Sequence, residues 1–159
     1  MYILQVAIMG ILDDIFGSEK KAYKARPQEP LPSNLRETQS PISMSVRFLP
    51  LRLAARKDNR LDMIVRITNE TAEKQLISFE ARVPQREMMG FDPTVVSKQY
   101  QKKLGQVEPK ASAEFAVTIH GTSQTKPGNY PVDVTAYVHY IDYNKVMNFV
   151  KRKVSLRVV

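Results

Sequence analysis

Apolar residues in the last three quarters of the chain recur at every second position, in one run after another. In the run RLDMIVRIT, Leu61, Met63, Val65 and Ile67 alternate mostly with charged or hydroxyl side chains. Successive side chains of a β-strand point to opposite faces of a sheet, so this alternation predicts a strand with one buried face and one wet face. A helix would show a period near 3.6 residues instead.

Three further runs show the same period, and two less regular runs flank them. The side chains predicted to point inward in the regular runs are Ile77, Phe79, Ala81, Val83, Ala113, Phe115, Val117, Ile119, Tyr130, Val132, Val134, Ala136, Val138 and Tyr140. Those predicted inward in the flanking runs are Ile42, Met44, Val46, Phe48, Leu51, Leu53, Val154, Leu156 and Val158.

Three irregular parts of the alternating pattern each predict a structural feature. The phase of the first run flips at Pro50, which is typical of an edge strand that crosses from one sheet to the other. The ambiguous first half of the last run predicts a bulge within residues 150–153. A polar stretch over residues 96–104 predicts a further edge strand.

These seven short strands are separated by turn-forming segments, with no long helix between them. Such spacing favours an all-β fold, a seven-stranded antiparallel immunoglobulin-like β-sandwich over residues 42–159. Cysteine is absent, which excludes the disulfide that joins the two sheets of antibody domains.

Turn segments within residues 60–140 resemble those of archaeal immunoglobulin-like modules of the CARDB and NEW3 type. The segments are VRITNETAEK, LGQVEPKASAEFAVTI and KPGNYPVDVTAYV. In those modules an N-x-[ST] turn follows the second strand, and a PG-x-Y sequence opens the sixth. The resemblance implies a binding or spacer domain. Asn69, in N-E-T, also begins a formal glycosylation sequon, but we interpret it as a turn residue.

Two segments precede the predicted sandwich. Residues 1–25 predict an amphipathic helix followed by a basic stretch, with Met9 as a second possible start. Residues 26–41 contain four prolines and predict an extended linker. The apolar side of the helix could lie on a membrane surface, dock on the sandwich or pair with a second copy. Its candidate contact residues are Ile11, Leu12, Ile15 and Phe16.

The net charge of +8 belongs entirely to the predicted sandwich. Residues 1–40 contain five of the 24 basic side chains and five of the 16 acidic ones, which leaves 19 and 11 for the rest. A basic domain attracts polyanions such as nucleic acid or anionic lipid, although a charged surface also keeps a protein in solution. No run reaches the roughly 18 apolar residues of a spanning helix. With no signal peptide pattern, we expect a cytoplasmic protein, or one peripheral to a membrane.

Outward residues of the last two long strands form the candidate binding face, provided that these strands pair. They are Tyr137, His139, Tyr143, Met147, Phe149, Lys151 and Lys153. Aromatic residues interleaved with lysines suit a protein partner, such as a second copy, and also suit nucleic acid. The N-terminal helix or linker could equally cover this face.

No catalytic constellation stands out in the sequence. His139 with Asp142 and Tyr143 is the strongest, and it has no nucleophile at a defined spacing. No phosphate-binding glycine loop, paired carboxylates or metal-ligand spacing is evident. We therefore expect a non-enzyme with no cofactor, no metal and no small-molecule substrate.

Overall fold

The computed structural model describes residues 40–159 of the protein. The predicted helix and basic stretch lie outside the described residues, as do Ile11, Leu12, Ile15 and Phe16. The predicted linker overlaps them only at Ser40 and Pro41.

The described part of the chain contains nine strands and no helix. The strands are β1 (Ile42–Leu49), β2 (Arg52–Leu53), β3 (Asn59–Asn69), β4 (Gln75–Arg82), β5 (Met89–Gly90), β6 (Gln99–Val107), β7 (Ser112–Gly121), β8 (Gly128–His139) and β9 (Val146–Val158). Two sheets result, in the orders β1-β3-β7-β5 and β2-β9-β8-β4-β6. Among the long strands, the chain crosses between the sheets from β3 to β4, from β6 to β7 and from β7 to β8, as in an immunoglobulin-like sandwich.

The core between the sheets is built from the side chains that the alternation predicts to point inward. Phe79 of β4 and Phe115 of β7 meet edge to face, with ring centroids 5.1 Å apart. Full burial of one such ring contributes about 1.5–3 kcal/mol to folding. Most of the predicted set is buried or packs against the buried cluster, so the faces of the strands are as predicted.

The strand count differs from the prediction because β2 and β5 have only two residues each. A two-residue strand is too short to show an alternating pattern. β2 follows the cis Leu49–Pro50 peptide and pairs with β9, whereas β1 pairs with β3. The first segment therefore changes sheets at the proline, as predicted. Leu51 was wrongly predicted to be inward: it lies in the crossing and is 75% exposed.

Three further predictions are corrected along the chain. The polar edge strand occupies Gln99–Val107 rather than residues 96–104, because Asp92 accepts a hydrogen bond from the Ser97 amide and holds residues 92–97 in a loop. Tyr140 is 56% exposed because β8 ends at His139.

The bulge of β9 lies at Met147, where the register shifts between Val138 and His139, and not within residues 150–153. Exposed Arg152 and partly buried Val150 lie on the core-facing side of β9, at the margin of the four-stranded sheet. This incomplete cover explains why the sequence of that stretch lacks alternation.

Candidate functional site: the outer face of the β8–β9 hairpin

β8 and β9 pair in an antiparallel hairpin that sets four of the predicted residues on one face. Tyr137 lies opposite Phe149, Thr135 opposite Lys151, and Asp133 opposite Lys153. Paired residues of a sheet point to the same face. Here that face is turned away from the core, and we call it the outer face. Two predicted residues have no partner on β8: Met147 occupies the bulge, and Tyr143 lies in the loop between β8 and β9.

Four ring side chains, which we call the aromatic row, cross the outer face. They are Phe149, Tyr137, His139 and Tyr143. Tyr137 lies 6.4 Å from Phe149 between ring centroids, and His139 meets the edge of Tyr143 at 5.1 Å. These separations are within the range of favourable aromatic contacts. The hairpin thus brings together Tyr137 and Phe149, which are 12 positions apart in sequence.

The neighbouring strands β4 and β6 supply residues that the sequence did not predict. Ser78 Oγ of β4 lies 2.7 Å from Nε2 of His139. The backbone amide of Gly105 donates to the Tyr143 hydroxyl at 3.0 Å, and Lys103 places its ammonium 4.8 Å from the centre of the Tyr143 ring. These contacts hold the β8–β9 loop over β6. Ser78 and Lys103 do lie at outward positions of their strands, but their proximity to the hairpin depends on strand order.

An open groove of about 690 Å³ lies between the aromatic row and the edge strand. Its floor and walls come from β4, β6, β8 and the hairpin loop. The polar and aromatic residues lining it include Ser78, Gln101, Lys103, Tyr137, His139 and Tyr143. The groove offers ring faces and ammonium groups to an occupant, which suits aromatic or acidic groups.

His139 is 5% exposed and lies at the inner end of this groove. Burial lowers the pKa of His139, and the nearby Asp142 carboxylate opposes that shift. Nδ1 of His139 is buried and has no hydrogen-bond partner among residues 40–159. A serine–histidine pair active in acyl transfer requires a third group that orients the imidazole. The described residues provide no such group.

Exposed apolar side chains concentrate on the same hairpin. Of the ten large apolar residues that are exposed in the described part of the chain, five lie between positions 140 and 149. We call these five the hairpin patch: Tyr140, Ile141, Val146, Met147 and Phe149. Single exposed apolar residues are ordinary, whereas a cluster of this kind marks an interaction surface.

Basic side chains precede and follow the β9 part of the hairpin patch. Lys145 lies over the Tyr140 ring at 5.0 Å, and Lys151, Arg152 and Lys153 follow one another along β9. Asp133 lies 3.9 Å from Lys153, at the outer limit of an ion pair, so it neutralises that ammonium only weakly. Within residues 40–159, no three histidine or carboxylate side chains group together as metal ligands would.

The sequence matches no family model and none of the curated proteins. Among solved structures, the chain is similar to a FixG-related protein from Vibrio parahaemolyticus, with a TM-score of 0.50 and 12% identity over 75% of this chain and 97% of the other. It is also similar to the C-terminal domain of Wzt, with a TM-score of 0.51 and 9% identity over 76% and 75% of the two chains. At these identities the likeness concerns the fold alone.

Residues 40–159 include no helix that is long and apolar enough to cross a membrane.

Proposed function

We propose that this protein is a non-catalytic interaction module that binds another protein through the hairpin patch and the adjoining aromatic row. The observation that carries the proposal is the concentration of exposed apolar side chains on one hairpin, beside an open groove. Aromatic residues and methionine are enriched at the centres of protein interfaces, with polar residues at the rim. The hairpin resembles this arrangement, since Lys145, Lys151 and Lys153 flank its exposed apolar side chains.

Phe149 is the residue we expect to contribute most to binding. It is 58% exposed and lies between Tyr137 and the basic stretch of β9. Covering such a ring removes apolar surface from water, and aromatic residues at the centre of an interface commonly contribute about 2 kcal/mol or more.

Two other considerations support a binding role over a catalytic one. Among residues 40–159, no carboxylate orients the Ser78–His139 pair at Nδ1, and Ser78 lies within strand β4. The resemblance to CARDB and NEW3 modules implies a binding or spacer domain. On this proposal the module acts in the cytoplasm or at the surface of a membrane. The segment containing Ile11, Leu12, Ile15 and Phe16 would serve as its tether or as its contact with a second copy.

Site-specific photo-crosslinking tests the proposal. We expect p-benzoylphenylalanine in place of Phe149 to give a discrete protein adduct in cells of the source organism. The matched control carries the same group in place of Leu51, which is also exposed but lies beside β2 at the far end of β9, about 25 Å away. No adduct at position 149, or equal adducts at both positions, would contradict the proposal.

A second candidate function is the binding of a polyanion, either nucleic acid or anionic lipid. The consecutive Lys151, Arg152 and Lys153 beside exposed Phe149 favour it, because such binding combines phosphate contacts with base stacking. Retention on heparin that collapses with modest salt, and is lost in Lys151→Glu with Lys153→Glu, would support this candidate over the first.

A further inference from the structure

The long strand β9 has one edge that is almost entirely unpaired within residues 40–159. β8 covers one side of β9 from Val146 to Val158. On the other side, β2 pairs only with Arg157 and Val158. An unpaired strand edge presents a row of backbone donors and acceptors to a further strand.

Two observations identify the residues whose backbone groups face this free edge. The Phe149 amide donates to the side-chain carbonyl of Asn148 at 2.7 Å, which indicates that it points away from β8. Pro131 lies opposite Ser155 and has no amide hydrogen to donate to it, so this pair is not one that exchanges hydrogen bonds. Ser155 is an even number of residues from Phe149, so both residues turn their backbone groups to the same side of β9. Backbone groups alternate sides along an antiparallel strand. Phe149, Lys151, Lys153 and Ser155 therefore face outward, and Val150 and Arg152 bond to β8.

The side chains along the free edge of β9 are those that an added strand would contact. On the outer face it would lie beside Phe149, Lys151 and Lys153. On the other face, Val150 and Arg152 line a second groove of about 590 Å³, shared with Ile42 and Met44 of β1. A strand placed here would thus have lysines along one face and, under the other, a groove lined by both apolar and polar side chains.

The positive charge of the β9 edge favours an acidic strand as its neighbour over a basic one. Three consecutive basic residues oppose close pairing with similarly charged strands and attract carboxylates. The other free edge of the same sheet, β6, bears none of the exposed large apolar side chains and is interrupted by a register shift opposite Ile77 and Ser78. The β9 edge combines backbone groups, charge and apolar surface.

We propose that the edge of β9 from Phe149 to Ser155 takes up an extended acidic peptide segment as an added strand of the five-stranded sheet. Main-chain hydrogen bonds supply affinity in this mode, and alternate side chains supply specificity. Acidic side chains pair with Lys151 and Lys153 on the outer face, and apolar ones enter the groove beside Val150. The inference rests on the proposed function, since it names the class of protein segment that is bound.

A capped synthetic peptide that alternates glutamate with valine provides the probe, measured by calorimetry with the full chain. We expect saturable binding that weakens by about tenfold or more in Lys151→Glu with Lys153→Glu. The control, Lys57→Glu with Lys126→Glu, makes the same change of charge at exposed positions outside β9 and should leave binding unchanged.

N-methylated peptides distinguish strand addition from simple charge attraction. Only alternate peptide amides point at β9 in an added strand, so methylation of one alternate set should abolish binding and methylation of the other should not. In the bound state, hydrogen exchange at the amides of Lys151 and Lys153 should slow. Equal binding of both methylated peptides would overturn the proposal.

Two other results would reject strand addition in favour of a different explanation. Equal affinity for the peptide and for single-stranded DNA, with the same salt dependence, would overturn strand addition in favour of general polyanion binding. An adduct at position 149 in the crosslinking experiment, combined with no peptide binding, would retain the protein-interaction role and reject this mode of docking.

Discussion

At the scale of single residues, the most informative contact is the one between Ser78 and His139. It buries an imidazole on a face that is otherwise open, with Nε2 satisfied at 2.7 Å and Nδ1 left without a partner in residues 40–159. Because burial lowers the pKa of His139, the folded protein holds this ring in the neutral form over a wider pH range than the unfolded chain does.

This difference makes stability depend on pH. In the unfolded chain His139 has the usual pKa of about 6.5, and in the folded protein its pKa is lower. The unfolded state therefore binds more protons as pH falls through and below 6.5, so the free energy of unfolding decreases there. We expect a lower melting temperature at about pH 5.5 than at about pH 8.

Substitution identifies the residue responsible. His139→Gln should reduce the pH dependence of the melting temperature, whereas His120→Gln on β7 serves as the control and should preserve it. If both variants lost the same amount of pH dependence, the effect would not arise from burial of His139.

At the scale of elements, one side chain joins two turns at an end of the sandwich. Asn69, the last residue of β3, is fully buried. Its Nδ2 donates to the carbonyls of Glu73 at 2.7 Å and Val107 at 3.1 Å, and its Oδ1 accepts from the Thr71 amide. The sequon is thus a turn, as predicted, and it ties the β3–β4 connection to the end of β6.

Asn69→Asp should destabilise the fold. A carboxylate in place of the amide would turn an oxygen towards carbonyl oxygens and leave them unsatisfied, at a cost of about 3 kcal/mol. Urea unfolding measures this loss. Asn144→Asp, at an exposed position of the β8–β9 loop, is the control and should change stability by less than about 0.5 kcal/mol. Equal stability of the two variants would show that the amide does not hold the turns together.

The long connection between β4 and β6 contains both buried and exposed apolar side chains. Met89 is buried in β5, Phe91 packs on Tyr100 with centroids 5.9 Å apart, and Met88 remains exposed. Lys98 donates to the carbonyls of Glu87 and Met89 and so braces the loop. Met89 and Phe91 therefore help to close the sandwich, and Met88 is left at the surface.

At the scale of the whole molecule, residues 40–159 contain one continuous core between two sheets. A core of this extent should support folding without residues 1–39, because the described strands bury their apolar faces against each other. We expect a chain of residues 40–159 to unfold in a single cooperative calorimetric transition. A broad, non-cooperative transition of this shorter chain, beside a sharp one for the full chain, would contradict this expectation.

The sequence predicted the inward side chains well and the strand limits less well. Alternation is strong where both sheets cover a strand, as at Val65 and Val134. It weakens at Arg152, whose side of β9 lies at the sandwich margin, and the bulge at Met147 was misplaced for that reason. Predicted site residues on β8 and β9 came together because a short loop joins these strands.

The sequence by itself determined the β-sandwich and the side of each long strand that is buried, because the direction of successive side chains follows from the local geometry of an extended backbone. Only the tertiary structure decided which strands are neighbours. That order places Ser78 and Lys103 beside His139 and Tyr143, and among residues 40–159 it leaves most of one edge of β9 without a neighbouring strand. Strand order depends on how the sheets pack as a whole, and no local pattern of residues encodes it.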